Sequence, residues 1–213
     1  MVMLWSKAGK GLSVMEKNVA LLIVDVQVDF CPGGSLAVPE GDTIIPVLNR
    51  YIEIFRARGL PVFASRDWHP AMTRHFRQFG GLWPTHCVQG TEGARFHPLL
   101  RLPAEATVVS KGMEPEKDDY SALLAVTDQG TPLPDLLDEL GTERIYIGGL
   151  ATDYCIRESA LDGVKQGFSV TILTDAVKGV DLKPGDSARA LKEIAKAGAE
   201  LVDLITVEKR LTS

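Results

Sequence analysis

Ile145-Tyr146-Ile147-Gly148-Gly149-Leu150-Ala151-Thr152-Asp153-Tyr154-Cys155 is the stretch whose reading decides the fold. It opens on an apolar run, Ile145 to Ile147, too short for a helix and rich in β-formers, and so reads as a buried strand. Gly148 and Gly149 then allow a tight change of direction. Thr152 or Asp153 is a suitable N-cap for a helix reaching to about Gln166, with Leu161 and Val164 on its inner face. Cys155 therefore falls in the first turn of a helix, just beyond the C-terminal end of a central strand. Orphan backbone N–H groups and the positive end of the helix dipole favour a thiolate there. The same groups can hold the oxyanion of an acyl-transfer intermediate. The alternative is a small residue packed beneath the sheet.

Working outward, strands alternate with helices. Val19 to Val24 is a continuous apolar run ending at Asp25, which suggests a strand buried on both faces. Thr43 to Arg58 shows helical spacing, with Ile44, Val47, Leu48, Tyr51, Ile54 and Phe55 as its stripe and Gly59 as its stop. Pro61 to Ala64 reads as a second strand running out at Ser65-Arg66-Asp67, and Thr107 to Val109 as a third, followed by Ser110-Lys111-Gly112. Leu133 to Leu140 reads as a helix ended by Gly141. Beyond the Cys155 helix come a strand at Ser169 to Leu173, a helix near Ser187 to Ala197 and a last strand around Leu201 to Val207. From Trp68 to Pro103 the pattern is irregular, and a loop that long in a compact domain is usually functional or disordered.

This alternation predicts an α/β fold: a single doubly wound, mostly parallel β-sheet flanked by helices in three Rossmann-like layers. The domain is expected over residues 19–213, with residues 1–18 as a loose N-terminal extension. In such sheets ligands bind outside the carboxyl ends of the strands. Asp25, Asp67, Lys111 and Cys155 each follow a different strand, so they are candidates for one site.

Bulk properties narrow the function. With 213 residues, 45% of them apolar and 24% charged, the chain suits one soluble domain. A formal charge of −5 and the lack of a basic run argue against nucleic acid or an anionic membrane as partner. No apolar run approaches the ~20 residues that span a bilayer. Cys31, Cys87 and Cys155 form an odd, widely spaced set that fits free thiols in a reducing cytoplasm better than a disulfide framework. A homo-oligomer is left open.

Two constellations carry chemistry. Cys155 needs a base; Asp25 can take the thiol proton and return it to a leaving amine, while Lys111 biases the ionisation of both. Asp25 and Lys111 are otherwise a stabilising pair. No histidine sits at a strand end, which points away from a papain-like dyad. The second set is Asp67, His69, His75 and His86: one carboxylate with two or three imidazoles suits Zn²⁺, Fe²⁺ or Mn²⁺. His75 is its weakest member, since a loop histidine can simply be solvated, and His97 reads as structural. Phe30, Trp68, Trp83 and Tyr120 can line an aromatic pocket or serve as core and lid packing.

The blocks Leu22–Phe30, Arg66-Asp67-Trp68-His69-Pro70, Trp83-Pro84-Thr85-His86-Cys87-Val88, Val109-Ser110-Lys111-Gly112 and Gly149–Cys155 resemble the nicotinamidases (also called pyrazinamidases) of the isochorismatase-like cysteine hydrolases. The resemblance runs from residue 19 to about 175, and the Asp-Trp-His-Pro and Trp-Pro-x-His-Cys blocks are its most particular parts. It implies hydrolysis of nicotinamide to nicotinate and ammonia through a cysteine thioester, as in NAD salvage, with pyrazinamide as a further substrate. It makes Cys155 the nucleophile, Asp25 the general base and then acid, and Lys111 the third catalytic member. It makes Asp67, His69 and His86 the ligands of one divalent ion, Zn²⁺ first among the candidates, with His75 where some members supply a fourth. The amides of Ala151 and Cys155 match the oxyanion hole, the Leu150–Ala151 peptide lies where the family has a cis bond, and Phe30, Trp83, Tyr120 and Leu150 match the substrate pocket. The rivals are a relative acting on N-carbamoyl or ureido amides, and a non-catalytic metal- or nicotinamide-binding module.

Overall fold

The structure, a computed structural model, describes residues 16–212. Six strands form its sheet: β1 (Val19–Val24), β2 (Val62–Asp67), β3 (Thr107–Lys111), β4 (Arg144–Leu150), β5 (Ser169–Lys178) and β6 (Glu200–Val202). Their order is β3-β2-β1-β4-β5-β6 and every neighbouring pair is parallel. Five helices cover it: α1 (Ile45–Ala57), α2 (Leu133–Glu139), α3 (Arg157–Lys165), α4 (Asp186–Lys196) and α5 (Leu204–Thr212). This is the doubly wound α/β arrangement, as the alternation predicts.

The period of two in the strands builds the three layers. Leu21 and Ile23 of β1 and Tyr146 of β4 face Leu48, Tyr51 and Phe55 of α1 and Val207 and Leu211 of α5. Ala20, Leu22 and Val24, with Ile145 and Ile147, face Leu133 and Leu137 of α2, Ala160 of α3 and Ile194 of α4. All six β1 residues are buried, so the run lacks polar alternation because both its faces are covered. The chain winds outward from β1 to β3 and then returns to β4, so the strand order reverses between β1 and β4. Ligands bind at such a switch point.

Several boundaries differ from the sequence reading, each for a local reason. β2 and β3 run on to Asp67 and Lys111, because these residues pair in register at the end of the ladder. Residues 203–207 do not continue β6. The Asp203 carboxylate accepts from Thr206 N at 2.9 Å and Thr206 Oγ1 at 2.6 Å, starting α5, whose Val207 and Leu211 fill the core. Thr152–Ile156 form a π-helical turn before α3, and neither Thr152 nor Asp153 caps it. Instead the Asp153 carboxylate accepts from Val180 N at 2.9 Å and Asp181 N at 2.8 Å. The fully buried face of α3 is Ser159, Ala160 and Gly163, while Leu161 and Val164 are only half-buried. Of the expected extension, residues 1–15 lie outside the described residues. Asn18 O accepts from Glu143 N at 2.8 Å and Arg144 N at 3.1 Å, which fastens residue 18 to the start of β4. No described helix is long and apolar enough to cross a membrane.

Gly149 shows how tightly β1 and β4 approach at the switch point. Its φ is +128°, and a Cβ there would lie 2.1 Å from Val24 O. Backbone cannot yield as a side-chain tip does. Gly149→Ala is therefore expected to cost at least about 3 kcal/mol, a drop of roughly 6–12 °C in the melting temperature. Gly141→Ala is the control: φ is +65° but nothing lies within 4 Å, so calorimetry should show a loss of only about 1–2 kcal/mol.

Candidate active site

β1, β2, β3 and β4 end side by side, and each delivers one side chain to the same point. Asp25 follows β1 with a φ of +50°, Asp67 ends β2, Lys111 ends β3 and Cys155 sits in the turn after β4. Asp25 and Lys111 are 0% and 2% exposed, so their charges must be compensated internally. Lys111 Nζ lies 2.9 Å from Asp25 Oδ2, hydrogen-bonds Asp67 Oδ1 and lies 3.4 Å from Cys155 Sγ. Ser65 Oγ donates to Asp25 Oδ1 at 2.7 Å, which orients the carboxylate from the neighbouring strand.

Burial and the two carboxylates act in opposite directions here. Burial alone would lower the Lys111 ammonium, but Asp25 and Asp67 overcome it and hold the group well above the ordinary lysine range. Burial raises Asp67, yet Lys111 and the His69 and His86 rings outweigh it and keep this carboxyl well below its usual range. Asp25 is raised by burial, with Asp67 adding and Lys111 opposing. Cys155 is pushed up by burial, against Lys111 and with Asp25 and Asp67. The thiolate expected from the helix dipole is thus not the favoured resting form. A dipole contributes roughly 0.3–1 kcal/mol, whereas full burial moves a thiol by several times that.

The second constellation adjoins the first through Asp67. Its Oδ2 faces His69 Nε2 at 3.6 Å and His86 Nε2 at 3.9 Å. His69 Nδ1 bonds Gly112 O at 2.9 Å, His86 Nδ1 bonds Pro84 O at 2.7 Å and His75 Nδ1 bonds the Asp118 carboxylate. A carbonyl can only accept, so at His69 and His86 the proton sits on Nδ1 and the Nε2 lone pair is left free. His69 Nε2 is buried with no partner. Candidate ligand atoms of His69, His75 and His86 all lie within 4.8 Å of one another. Three convergent imidazoles, an orphaned acceptor and a carboxylate oxygen fit a divalent ion. Burial lowers His75, and lowers His86 to about 4, so these rings are neutral at pH 7 and their lone pairs available.

A cleft opens between the two constellations, lined by Cys155, Ala151, Asp67, His75 and His86, with Phe30, Trp83 and Tyr120 as aromatic wall. Trp83 Nε1 donates to Tyr120 OH at 2.9 Å, tying two of these rings together. Leu36, Tyr154 and Val180 also line it. The sequence reading passed over these three, although Tyr154 stands beside the nucleophile candidate and packs edge-on to Trp83 at 4.9 Å. Two expected wall residues are elsewhere. Leu150 is fully buried in the core beside α1, and Trp68 lies under the Arg66 guanidinium at 3.9 Å. The Leu150–Ala151 peptide is cis. His97 accepts from Leu99 N at 3.3 Å within its own turn, a structural role. Cys31 and Cys87 are buried and free, and burial pushes the Cys31 thiol up to about 11.

Residues 19–206 match the family model of the isochorismatase domain. The chain belongs to the isochorismatase family. It is 44% identical over 209 residues to a nicotinamidase of Escherichia coli K12, a match covering 89% of this chain and 97% of that one. A nicotinamidase/pyrazinamidase of Mycobacterium tuberculosis is 39% identical over 186 residues, covering 86% and 97%. Among solved structures, the pyrazinamidase of Pyrococcus horikoshii in complex with zinc superposes with a TM-score of 0.80 at 48% identity, covering 88% of this chain and 100% of that one. Gln27, a fourth residue that the sequence reading did not single out, lies within the Leu22–Phe30 block. It is 0% exposed, its Nε2 donates to Asp67 O at 2.8 Å and Ala94 O at 2.9 Å, and its Oε1 accepts from Asp67 N at 2.8 Å. It clamps the backbone of the residue that joins the two constellations.

Gly112 provides a test of the imidazole cluster. A Cβ there would lie 2.5 Å from the His69 ring. Gly112→Ala should displace His69 and weaken Zn²⁺ binding at least about tenfold in competition with a chromogenic chelator. Unchanged affinity would remove His69 from the ligand set.

Proposed function

We propose that this protein is an amidohydrolase that cleaves nicotinamide to nicotinate and ammonia, with pyrazinamide as a second substrate. The observation that carries this reading is the cleft in which an aromatic wall, the Cys155 thiol and the His75 and His86 imidazoles face one another, with His69 clustered behind those two rings. A flat pyridine carboxamide presents three matching features: a π-face, an electrophilic carbonyl carbon and a ring nitrogen. The nicotinamidase relatives and the zinc-bound pyrazinamidase support it.

In this mechanism Asp67, His69 and His86, with His75 as a fourth ligand, would hold one divalent ion, Zn²⁺ by preference. When bound, that ion supplies a Lewis-acidic anchor for the ring nitrogen of the substrate. Phe30, Trp83 and Tyr120 pack the ring and bring the carboxamide carbon to Cys155. Asp25 accepts the thiol proton as the sulfur attacks. A carboxylate is ordinarily too weak a base for a thiol. Burial raises Asp25 towards competence, and Lys111 lies against both partners to steady the charge as it moves. The Ala151 and Cys155 amides receive the oxyanion. Asp25 then gives the proton to the departing nitrogen, so ammonia leaves and a thioester remains. Water, deprotonated by Asp25, attacks the thioester. The C–S bond breaks, the proton returns to sulfur and nicotinate is released.

Three outcomes follow. Cys155→Ala should lower ammonia release from nicotinamide at least about 10⁴-fold while circular dichroism and metal content stay as in the wild type. Residual turnover well above that level would rule out the covalent route. Chelation should suppress ammonia release and Zn²⁺ should restore it; turnover unaffected by complete metal removal would leave the histidines a structural role. Because Asp25 must be ionised to act as base and burial raises it, kcat/KM should rise with pH along an acid limb displaced above the ordinary aspartate value of about 4. A pH–rate profile flat down to pH 4 would remove Asp25 from the base role.

A further inference from the structure

We propose that Asp118 is a positioning residue that makes His75 a metal ligand in this chain, an assignment that rests on the metal reading of the site just given. The three imidazoles of the cluster are each fixed through Nδ1, but not in the same way. His69 and His86 bond the carbonyls of Gly112 and Pro84, which no side-chain substitution can delete. His75 alone bonds a carboxylate, carried by a different loop 43 residues away. The ring is 5% exposed while the Asp118 side chain is 59% exposed, so a buried imidazole relies on a surface residue for its orientation. With Nδ1–H committed to Asp118, Nε2 is the atom left to meet the other two rings. His69 and His75 stack at 4.6 Å between centroids, and His75 and His86 lie 5.3 Å apart.

The segment that carries Asp118 is itself held to the site. Pro115 O accepts from Arg74 N at 2.9 Å and from Thr73 Oγ1 at 3.1 Å, and Arg74 pairs with Glu116 at 3.0 Å. After Asp118, the carbonyl of Asp119 lies 3.5 Å from Lys111 Nζ, and Tyr120 OH takes the Trp83 indole proton. Three consecutive residues thus touch the imidazole cluster, the catalytic lysine and the aromatic wall in turn. Loss of the His75 bond should disturb substrate placement more than chemistry. The expected kinetic signature is a higher KM with a smaller change in kcat.

The test is Zn²⁺ affinity of the metal-loaded protein, measured by chelator competition without substrate. Asp118→Ala should weaken binding about 10–100-fold, the usual effect of removing a group that orients a ligand. Asp118→Asn keeps an oxygen able to accept from Nδ1–H and should stay within about threefold of wild type. In a His75→Ala background, Asp118→Ala should add less than about twofold, because the two act as one unit. Wild-type affinity in Asp118→Ala, an Asn variant as weak as the Ala variant, or a full further loss on top of His75→Ala would each overturn the proposal. If His75→Ala does not fold, the Ala and Asn variants at the exposed position 118 still decide the matter. Since no substrate is used, failure to hydrolyse nicotinamide would count against the proposed activity and leave this result standing.

Discussion

A buried ammonium shared by two carboxylates holds this site together. Lys111 would be untenable where it lies without Asp25 and Asp67, and either carboxylate would be untenable without Lys111. Removing one member of a buried charged group typically costs about 3–5 kcal/mol, because the rest are left uncompensated. The cluster is not neutral, however. Two carboxylates against one ammonium leave a net negative charge, and the spare oxygen of Asp67 faces the imidazole rings. A cation placed there completes the balance. The same carboxylate therefore serves the surroundings of Cys155 through one oxygen and the imidazole cluster through the other.

That sharing explains the investment in Asp67's backbone. Gln27 grips its N–H and its carbonyl together, and the β2–β3 register sets it beside Lys111. A slip of one residue by either strand would turn its side chain to the opposite face of the sheet, away from the other. The π-helical turn at 152–156 and the close approach of β1 and β4 at Gly149 do the corresponding work for Cys155. The sheet is rigid and covered on both sides, so the four strand ends can hold reactive groups within hydrogen-bonding reach without relying on mobile loops.

The electrostatics also separate two roles that the residue types alone would blur. Asp25 and Asp67 are both buried aspartates against one lysine, yet burial wins at Asp25, while Lys111 and the neighbouring imidazoles win at Asp67. One is left more basic than an ordinary aspartate; the other stays ionised. Divergent environments for like groups are how a site divides acid–base work from charge stabilisation.

The sequence by itself determined the α/β class, the parallel sheet and the placing of Asp25, Asp67, Lys111 and Cys155 at strand ends. Apolar runs, helical stripes and glycine stops are local signals, written in consecutive residues. Its motifs also named the family and the cluster of Asp67, His69, His75 and His86. What it misjudged depends on contacts distant in the chain. Residues 204–207 have strand-like composition, but the Asp203 cap and the core position of Val207 make them helical. Leu150 follows the strand's period into the core, so it is Ala151 that lines the cleft, and Trp68 is taken up by Arg66. Only the tertiary structure decided the partners of Gln27 and Asp118, which act 40 and 43 residues from their own positions. It also decided the thiol form of Cys155, because desolvation and the charge of neighbouring strands are properties of packing and not of sequence spacing.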